Sequence, residues 1–237
     1  MAERQEMQAD SPKKNNQVLL IYYSFSGQTG VLINRLAAGL KEQGMEVFFE
    51  KLKPVRHLRF PVGSILRTYL MMFSTFFRKR VKIQELSAKC RQDYDLIILA
   101  GPTWSYNPSG PILFFLDRDG KDVLGGREVL PVISCRGYWK AHWWGLRRKL
   151  AKCNASFSNM IAFSHPSPEP WRTIGVFLKI AGKNPERSRF ISRHYSRFGH
   201  SNAQMEEAFR FGGQIGEALK GGKPLAAINF QTDLALP

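Results

Sequence analysis

The sequence predicts an α/β domain in which a parallel sheet of five strands carries helices on both faces. Short, continuous apolar runs alternate along the chain with segments whose apolar residues recur at helical spacing. The chain of 237 residues is 43% hydrophobic and 12% aromatic, which is enough for one sizeable core. We expect a single domain over residues 17–237, preceded by a polar, disordered tail at residues 1–16.

The predicted elements follow one another in a regular order. Residues 18–23 (VLLIYY) form a run typical of a strand buried on both faces. Helical spacing from Gly30 to Leu40 predicts the first helix, which Gly44 ends. The later predicted strands are residues 45–49, 95–100, 128–134 and 157–163. The later predicted helices are residues 111–116, 140–152 and 202–220.

Charge and cysteine content restrict the partners and the compartment. The formal net charge of +16 favours anionic partners such as phosphorylated cofactors, acidic membranes or nucleic acids. Nucleic acid ranks last, because no helix-turn-helix, zinc site or RNA-binding aromatic signature is present. Three cysteines without a CxxC pair make neither a disulfide framework nor a metal site, which predicts a cytoplasmic protein.

The loop SFSGQTG, residues 24–30, lies between the first predicted strand and the first predicted helix. Ligands of such sheets bind beyond the carboxyl ends of the strands, and the free N–H groups of a helix N-terminus attract anions. The hydroxyls of Ser24, Ser26 and Thr29 add donors, so the loop predicts a phosphate site. The alternative is that Ser26 or Thr29 only caps the helix. The lysine of a P-loop and a GxGxxG motif are both absent here.

The segment YYSFSGQT resembles the phosphate loop of flavodoxins and related FMN-dependent NAD(P)H oxidoreductases. The match is residue by residue at Ser24, Ser26, Gly27 and Thr29. The resemblance implies a flavodoxin-like three-layer sandwich with strand order 2-1-3-4-5. It also implies that the FMN phosphate is bound by Ser24, Ser26, Thr29 and the backbone of residues 27–30. The predicted cofactor-binding residues of this loop are Ser24, Phe25, Ser26, Gly27, Gln28, Thr29 and Gly30.

The loop GPTWSYNPSGP, residues 101–111, follows the third predicted strand and is similar to the second flavin loop of that family. The resemblance implies stacking of Trp104 or Tyr106 on the isoalloxazine, with Ser105 and Asn107 bonding its edge. Pro102 and Thr103 complete the predicted contacts of this loop. The alternative is an aromatic loop that packs on its own domain.

The segment SCRGYWKAHWW, residues 134–144, supplies the third predicted wall. Tyr138 or Trp139 would flank the other face of the ring, and Gly137 would allow close approach. Arg136 suits flavin N1 or the phosphate of a nicotinamide cofactor. Cys135 belongs to the predicted site, although a cysteine at a strand end is usually a small buried hydrophobe.

Two segments, residues 53–91 and 164–201, exceed a minimal five-strand unit. The first contains an amphipathic stretch with these apolar residues on one helical face: Ile65, Tyr69, Met72, Phe73, Phe76 and Phe77. Arg78, Lys79, Arg80 and Lys82 follow, a pattern typical of a helix lying on an anionic membrane. Alternatively, the inserted helices cover the sheet or form a homodimer interface.

We expect an FMN-dependent oxidoreductase that passes hydride or electrons from NAD(P)H to an acceptor, such as a quinone at a membrane surface. The flavin supplies the redox chemistry, so no catalytic acid or base is predicted, and His142 is expected to be a packing or surface residue. The alternative is a flavodoxin-type electron carrier, or a docking module of this fold without reductase activity. The predicted location is cytoplasmic, with peripheral association on the inner face of the membrane.

Overall fold

The computed structural model describes residues 15–235. Residues 1–14 of the predicted tail lie outside the described residues. Asn16, at the end of that predicted tail, adjoins the sheet, because its carbonyl accepts a hydrogen bond from the Glu46 N–H at 2.8 Å.

The sheet contains five parallel strands, which confirms the predicted fold class. They are β1 (Gln17–Tyr22), β2 (Glu46–Lys51), β3 (Leu96–Trp104), β5 (Val129–Cys135) and β6 (Ile161–Ser164). Their order across the sheet is β2-β1-β3-β5-β6, which is 2-1-3-4-5 when only the parallel strands are counted. The two-residue β4 (Asn107–Pro108) pairs antiparallel with the end of β3.

Seven α-helices occur in the described part of the chain. They are α1 (Gln28–Glu42), α2 (Ile65–Phe76), α3 (Gly110–Arg118), α4 (Gly120–Leu124), α5 (Trp139–Lys152), α6 (Trp171–Ile180) and α7 (Asn202–Gly221). One apolar cluster joins α1 and α7 to one face of the sheet, and a second joins α3, α4 and α5 to the other. The sheet is therefore the middle of three layers.

Helices α1 and α7 pack unusually closely, because glycines form the contact. A Cβ built on Gly39 would lie 2.0 Å from the Phe209 carbonyl oxygen, and one on Gly212 would lie 2.0 Å from the Leu36 carbonyl oxygen. Gly216 faces Gln43 at the ends of the same two helices, so the helices run in the same direction. Both therefore begin at the carboxyl edge of the sheet.

Several predicted boundaries were wrong by a few residues. The last strand begins at Ile161 instead of residue 157, since its ladder with β5 starts at the pair Val132 and Ile161. Helix α1 begins at Gln28, two residues before the predicted start. Strand β3 continues to Trp104, four residues beyond the predicted end, and so carries part of the second loop.

Helices α2 and α6 come from the two long segments and lie outside the three-layer core. The buried side chains of α2 are the polar residues Thr68 and Thr75, while its aromatic, leucine and isoleucine side chains are exposed. Gly175 is the buried residue of α6, and it packs against the Tyr195 ring. Within residues 15–235, the longest apolar helical stretch falls short of what a bilayer-spanning helix requires.

Candidate functional site

Two adjoining cavities open at the carboxyl edge of the sheet. The larger, here called the aromatic cavity, has a volume of about 360 Å³ and lies between the second and third loops and helices α2 and α6. The smaller, the inner cavity, has a volume of about 110 Å³ and reaches from the first loop to the segment before α7. The residues that line both are Phe25, Thr103, Trp104, Arg136, Val176 and Ile180.

The first loop turns sharply into α1 at Gly27. Its φ of +85° is a backbone conformation that side chains other than glycine rarely adopt. A Cβ at this position would meet no atom within 4 Å, so the backbone angle, and not crowding, requires glycine. The turn leaves the N–H groups of the first helical turn without intrahelical acceptors and pointing out of the helix end.

Hydroxyl capping of α1 is only partial. Neither Ser26 nor Thr29 caps the helix, since the N-cap is Gly27 and no side chain bonds to the first turn from that position. The Ser24 hydroxyl instead accepts a hydrogen bond from the Gly30 N–H at 3.2 Å. Capping by Ser26 or Thr29, the alternative to a phosphate site, is therefore not observed.

The residues of the first loop face two sides. Ser26 and Gln28 line the inner cavity. Ser24, Gly27 and Gly30 line a separate groove of about 700 Å³ beside β2, while Thr29 is buried. The loop thus forms a wall between the groove and the inner cavity.

A side chain of this loop also reaches the opposite wall. The carbonyl oxygen of the Gln28 side chain accepts a hydrogen bond from the His200 N–H at 3.3 Å. A Cβ on Gly199 would lie 1.9 Å from that oxygen, so the glycine allows the approach. Gln28 therefore links α1 to the segment that precedes α7.

Trp104 occupies the centre of the second loop and lines both cavities. Its ring makes edge contacts with Tyr23 and Phe25, each at 5.6 Å between centroids, so its position is fixed by neighbouring rings. Thr103 bonds through its hydroxyl to Nδ1 of His142 at 2.7 Å. Burial lowers the pKa of His142 to about 3, so this histidine is neutral at physiological pH.

The polar side chains of Ser105 and Asn107 bond to helix α2 and to a residue that follows its end. The Ser105 hydroxyl donates to the Met72 carbonyl at 2.7 Å and bonds to the Thr75 hydroxyl at 2.8 Å. The Asn107 amide donates to the Phe76 carbonyl at 3.1 Å and accepts from Nε of Arg78 at 2.8 Å. The polar side chains of the second loop are therefore engaged in fixing the orientation of α2.

The third loop brings an aromatic ring and a cation to the aromatic cavity. Tyr138, at φ +59°, meets Tyr106 edge to face at 5.4 Å, which joins the second and third loops. A Cβ on Gly137 would lie 2.9 Å from the Arg172 guanidinium, so the glycine allows this cation to approach the loop. Arg136 lines both cavities and makes no ion pair with any residue in the described range.

Buried side chains close the inner cavity. Cys135 is buried, and burial raises the pKa of its thiol to about 11. His165 and His200 line the cavity, and burial lowers the pKa of each to about 4. Ser134 bonds to Nε2 of His200 at 2.8 Å. The remaining imidazole nitrogens, Nε2 of His165 and Nδ1 of His200, are buried without a hydrogen-bond partner in residues 15–235.

Twelve of the seventeen predicted residues thus line one or both cavities. They are Phe25, Ser26, Gln28, Pro102, Thr103, Trp104, Ser105, Tyr106, Cys135, Arg136, Gly137 and Tyr138. The other five do not line either cavity: Ser24, Gly27, Thr29, Gly30 and Asn107. The lining from α2 and α6, such as Met72 and Val176, and the two buried histidines were not predicted. Amphipathic spacing identified the two helices but could not place them at the site.

Comparison with known proteins gives similarity in structure only. No protein-family model and no curated protein sequence matches the chain. A flavoprotein from Lactobacillus acidophilus, solved in complex with FMN, is 21% identical, covers 62% of this chain and 91% of its own, and has a TM-score of 0.48. A flavodoxin from the domain Archaea is 13% identical, covers 86% of this chain and 99% of its own, and has a TM-score of 0.49.

The rubredoxin oxygen:oxidoreductase from Desulfovibrio gigas is 12% identical and has a TM-score of 0.50. The alignment covers 88% of this chain and 37% of that larger one. At such identities the similarity establishes the fold and nothing finer. Together with the observed strand order, which is that of flavodoxin, it shows that this chain has the flavodoxin-like fold.

Proposed function

We propose that the chain is an FMN-binding oxidoreductase that takes electrons from NAD(P)H and passes them to an apolar acceptor, such as a quinone met at a membrane surface. The observation that carries the proposal is the convergence of three predicted loops on two joined cavities at the carboxyl edge of the sheet. That edge is where sheets of this topology bind ligands.

The lining of the inner cavity fits the sugar-phosphate end of FMN. Gln28, Ser134 and Arg136 line it with polar groups to which the hydroxyls of a ribityl chain would bond. Gly27, on the groove side of the first loop, starts α1, whose N-terminal N–H groups and dipole favour a phosphate beside this cavity. Ser26 lines the same cavity and adds a hydroxyl donor.

The lining of the aromatic cavity fits a planar, apolar ring. Trp104, Tyr106 and Tyr138 contribute aromatic surface, and aromatic contact is worth about 0.5–1.5 kcal/mol beyond area burial. The unpaired Arg136 would offset negative charge on the ring edge or bind a phosphate of the nicotinamide donor. When bound, FMN supplies the hydride and electron transfer chemistry.

The chain's own contribution would be to bind, orient and shield. Met72, Phe73 and Val176 line the aromatic cavity and would exclude water from it. Because the flavin would carry the redox chemistry, no side chain has to act as acid or base. His142, neutral and bonded to Thr103, serves to position the second loop.

A flavodoxin-type electron carrier without its own NAD(P)H activity is the second candidate. The net charge of +16 disfavours it, because small carriers of this fold are typically acidic. The exposed apolar rim of the aromatic cavity favours a reductase, because Tyr69, Phe73 and Phe76 would offer an apolar acceptor an approach to the ring site.

The test is anaerobic reduction of the FMN-reconstituted protein. A reductase predicts rapid bleaching of the flavin by NADH or NADPH alone, followed by reoxidation on addition of a short-chain quinone. Bleaching that requires an added reductase would establish a carrier instead. The Arg136→Gln variant should slow the reduction by NAD(P)H. Photochemical reduction of the same flavin should be unaffected if Arg136 binds the phosphate of the donor, and hindered if Arg136 offsets charge on the ring edge.

A further inference from the structure

Helix α2 presents its apolar side to solvent. Ile65, Leu66, Tyr69, Leu70, Phe73, Phe76 and the following Phe77 are each more than half exposed, while Thr68 and Thr75 are buried. These seven side chains are half of the fourteen large hydrophobic residues exposed over residues 15–235. Exposed apolar side chains are normally scattered, and a contiguous group marks an interaction surface.

The exposed surface extends beyond the helix. Phe76 lies beside Tyr106 and Trp144 around a shallow depression, and Tyr106 contacts Tyr138. We call this contiguous area, formed by α2 with Phe77, Tyr106, Tyr138 and Trp144, the α2 face. It borders the mouth of the aromatic cavity, which Tyr69, Phe73 and Phe76 help to line.

Specific hydrogen bonds hold α2 in this orientation. Ser105 bonds to Thr75 and to the Met72 carbonyl, and Asn107 bonds to the Phe76 carbonyl. Turning the helix to bury Phe73 would break these bonds and expose the rest of the second loop. The exposure of the apolar side is therefore built into the fold.

The segment that contains α2 carries charges of one sign. Residues 51–84 contain nine lysines and arginines and no aspartate or glutamate. Arg67, Lys79 and Lys82 are exposed and make no ion pair with a described residue. Arg148 lies over the Trp144 ring at 4.8 Å, which adds a cation at the other end of the face.

Exposed apolar side chains surrounded by unpaired cations favour one kind of partner for the α2 face. A second copy of the chain would bring the same cations against each other across a two-fold interface, in a protein of net charge +16. An anionic bilayer supplies negative headgroups for the cations and an apolar interior for the aromatic and leucine side chains. A helix of 12 residues is about 18 Å long, which suits lying in the interface and not crossing it.

We propose that the α2 face docks the protein on an anionic lipid bilayer, with α2 lying in the headgroup region. Docking would bring the mouth of the aromatic cavity to the membrane surface, where an apolar acceptor is dissolved. The role of the acceptor rests on the proposed function, whereas docking itself needs neither flavin nor electron donor.

The test is sedimentation of the full chain with vesicles of phosphatidylcholine alone and with vesicles of equal parts phosphatidylcholine and phosphatidylglycerol. We expect binding to the anionic vesicles only, weakened by added salt. The triple variant Arg67→Gln, Lys79→Gln, Lys82→Gln should bind roughly 100-fold more weakly, at about fivefold for each cation. The double variant Leu66→Ser, Leu70→Ser should bind at least about tenfold more weakly.

A matched control removes three exposed cations elsewhere. Lys121, Lys220 and Lys223 lie near the opposite, amino edge of the sheet, and their replacement by Gln lowers the net charge equally. This control should bind as the wild type does. Because all the replaced side chains are exposed, each variant should keep the melting temperature of the wild type, which is measured first.

Three outcomes would overturn the proposal. They are absence of binding to both kinds of vesicle, binding unaffected by the double and triple variants, and self-association that the Leu66→Ser, Leu70→Ser variant abolishes. The last would assign the α2 face to a second copy. FMN titration of the same preparations separates the two proposals. A wild-type chain that binds FMN but not anionic vesicles contradicts only the docking, and one that binds the vesicles but not FMN contradicts only the proposed function.

Discussion

At the scale of single residues, Gly27 is the position on which the phosphate site depends most. Its positive φ starts α1 and exposes the N–H groups of the first turn. Gly44, just past the other end of α1, has a φ of +76° and equally open space around its Cβ position. The two glycines therefore share the same conformational requirement at opposite ends of one helix.

We predict that Gly27→Ala and Gly44→Ala each lower the free energy of unfolding by about 1 kcal/mol, because alanine is strained at positive φ. Only Gly27→Ala should weaken FMN binding, by about tenfold or more, since relaxing its φ reorients the anion-binding N–H groups. Urea unfolding and fluorescence titration measure the two quantities. An equal loss of FMN affinity in both variants would mean that the strain acts through the whole helix.

Tyr138 tests the assignment of the ring site. We predict that Tyr138→Leu weakens FMN binding by about two- to tenfold, the amount expected for one aromatic contact. The control is Trp144→Leu, because Trp144 is similarly exposed (56% against 53%) but does not line the aromatic cavity. If Trp144→Leu has the larger effect on the titrated affinity, the ring does not occupy the aromatic cavity.

At the scale of elements, two adjacent glycines of α7 separate the steric effect of a glycine-to-alanine exchange from its effect on helix propensity. Gly212 meets the backbone of α1, whereas a Cβ on its neighbour Gly213 would lie 3.9 Å from the nearest atom, on Gln43. Glycine inside a helix is less stable than alanine when space allows the exchange. The two adjacent positions should therefore respond in opposite directions.

We predict that Gly213→Ala raises the free energy of unfolding by about 0.5–1 kcal/mol. Gly212→Ala should lower it by about 3 kcal/mol, because α1 and α7 must separate to admit the methyl group. Urea midpoints for the two variants give the comparison. A stabilising Gly212→Ala would show that the two helices are not in contact as described.

Elements with a continuous residue pattern could be predicted from the sequence. Features that depend on contacts between distant residues could not. The apolar runs located all five parallel strands, and SFSGQTG located the turn into α1. Strand β4 was missed because two residues carry no periodicity. The spacing of Phe73 and Thr75 showed that α2 is amphipathic. Its orientation, with the polar side buried and the apolar side exposed, depends on bonds to Ser105 and Asn107, which no local pattern reveals.

At the scale of the whole molecule, three buried histidines tie stability to pH. Burial lowers the pKa of His142 to about 3 and those of His165 and His200 to about 4, against about 6.5 in the unfolded chain. Between these values the unfolded state binds more protons than the folded state. Stability is therefore fully present above about pH 6.5 and falls as the pH drops toward 4.

We predict that the apoprotein loses stability between pH 7 and pH 5 with a slope that approaches about 1.4 kcal/mol per pH unit for each histidine at the acidic end. Urea unfolding across that range measures the slope. His142→Gln should remove about one third of the slope. A free energy of unfolding that is constant over this range would contradict the burial of neutral histidines.

The central claim for the whole molecule is that the carboxyl edge of the sheet binds FMN with its phosphate at the N-terminus of α1. The most direct measurement is titration of the apoprotein with FMN and with riboflavin, which has the same ring and ribityl chain but no phosphate. We predict that FMN binds at least about 100-fold more tightly, because a dianion at a helix N-terminus gains several charge-assisted hydrogen bonds. Equal affinities for the two, or no binding of either, would contradict the account.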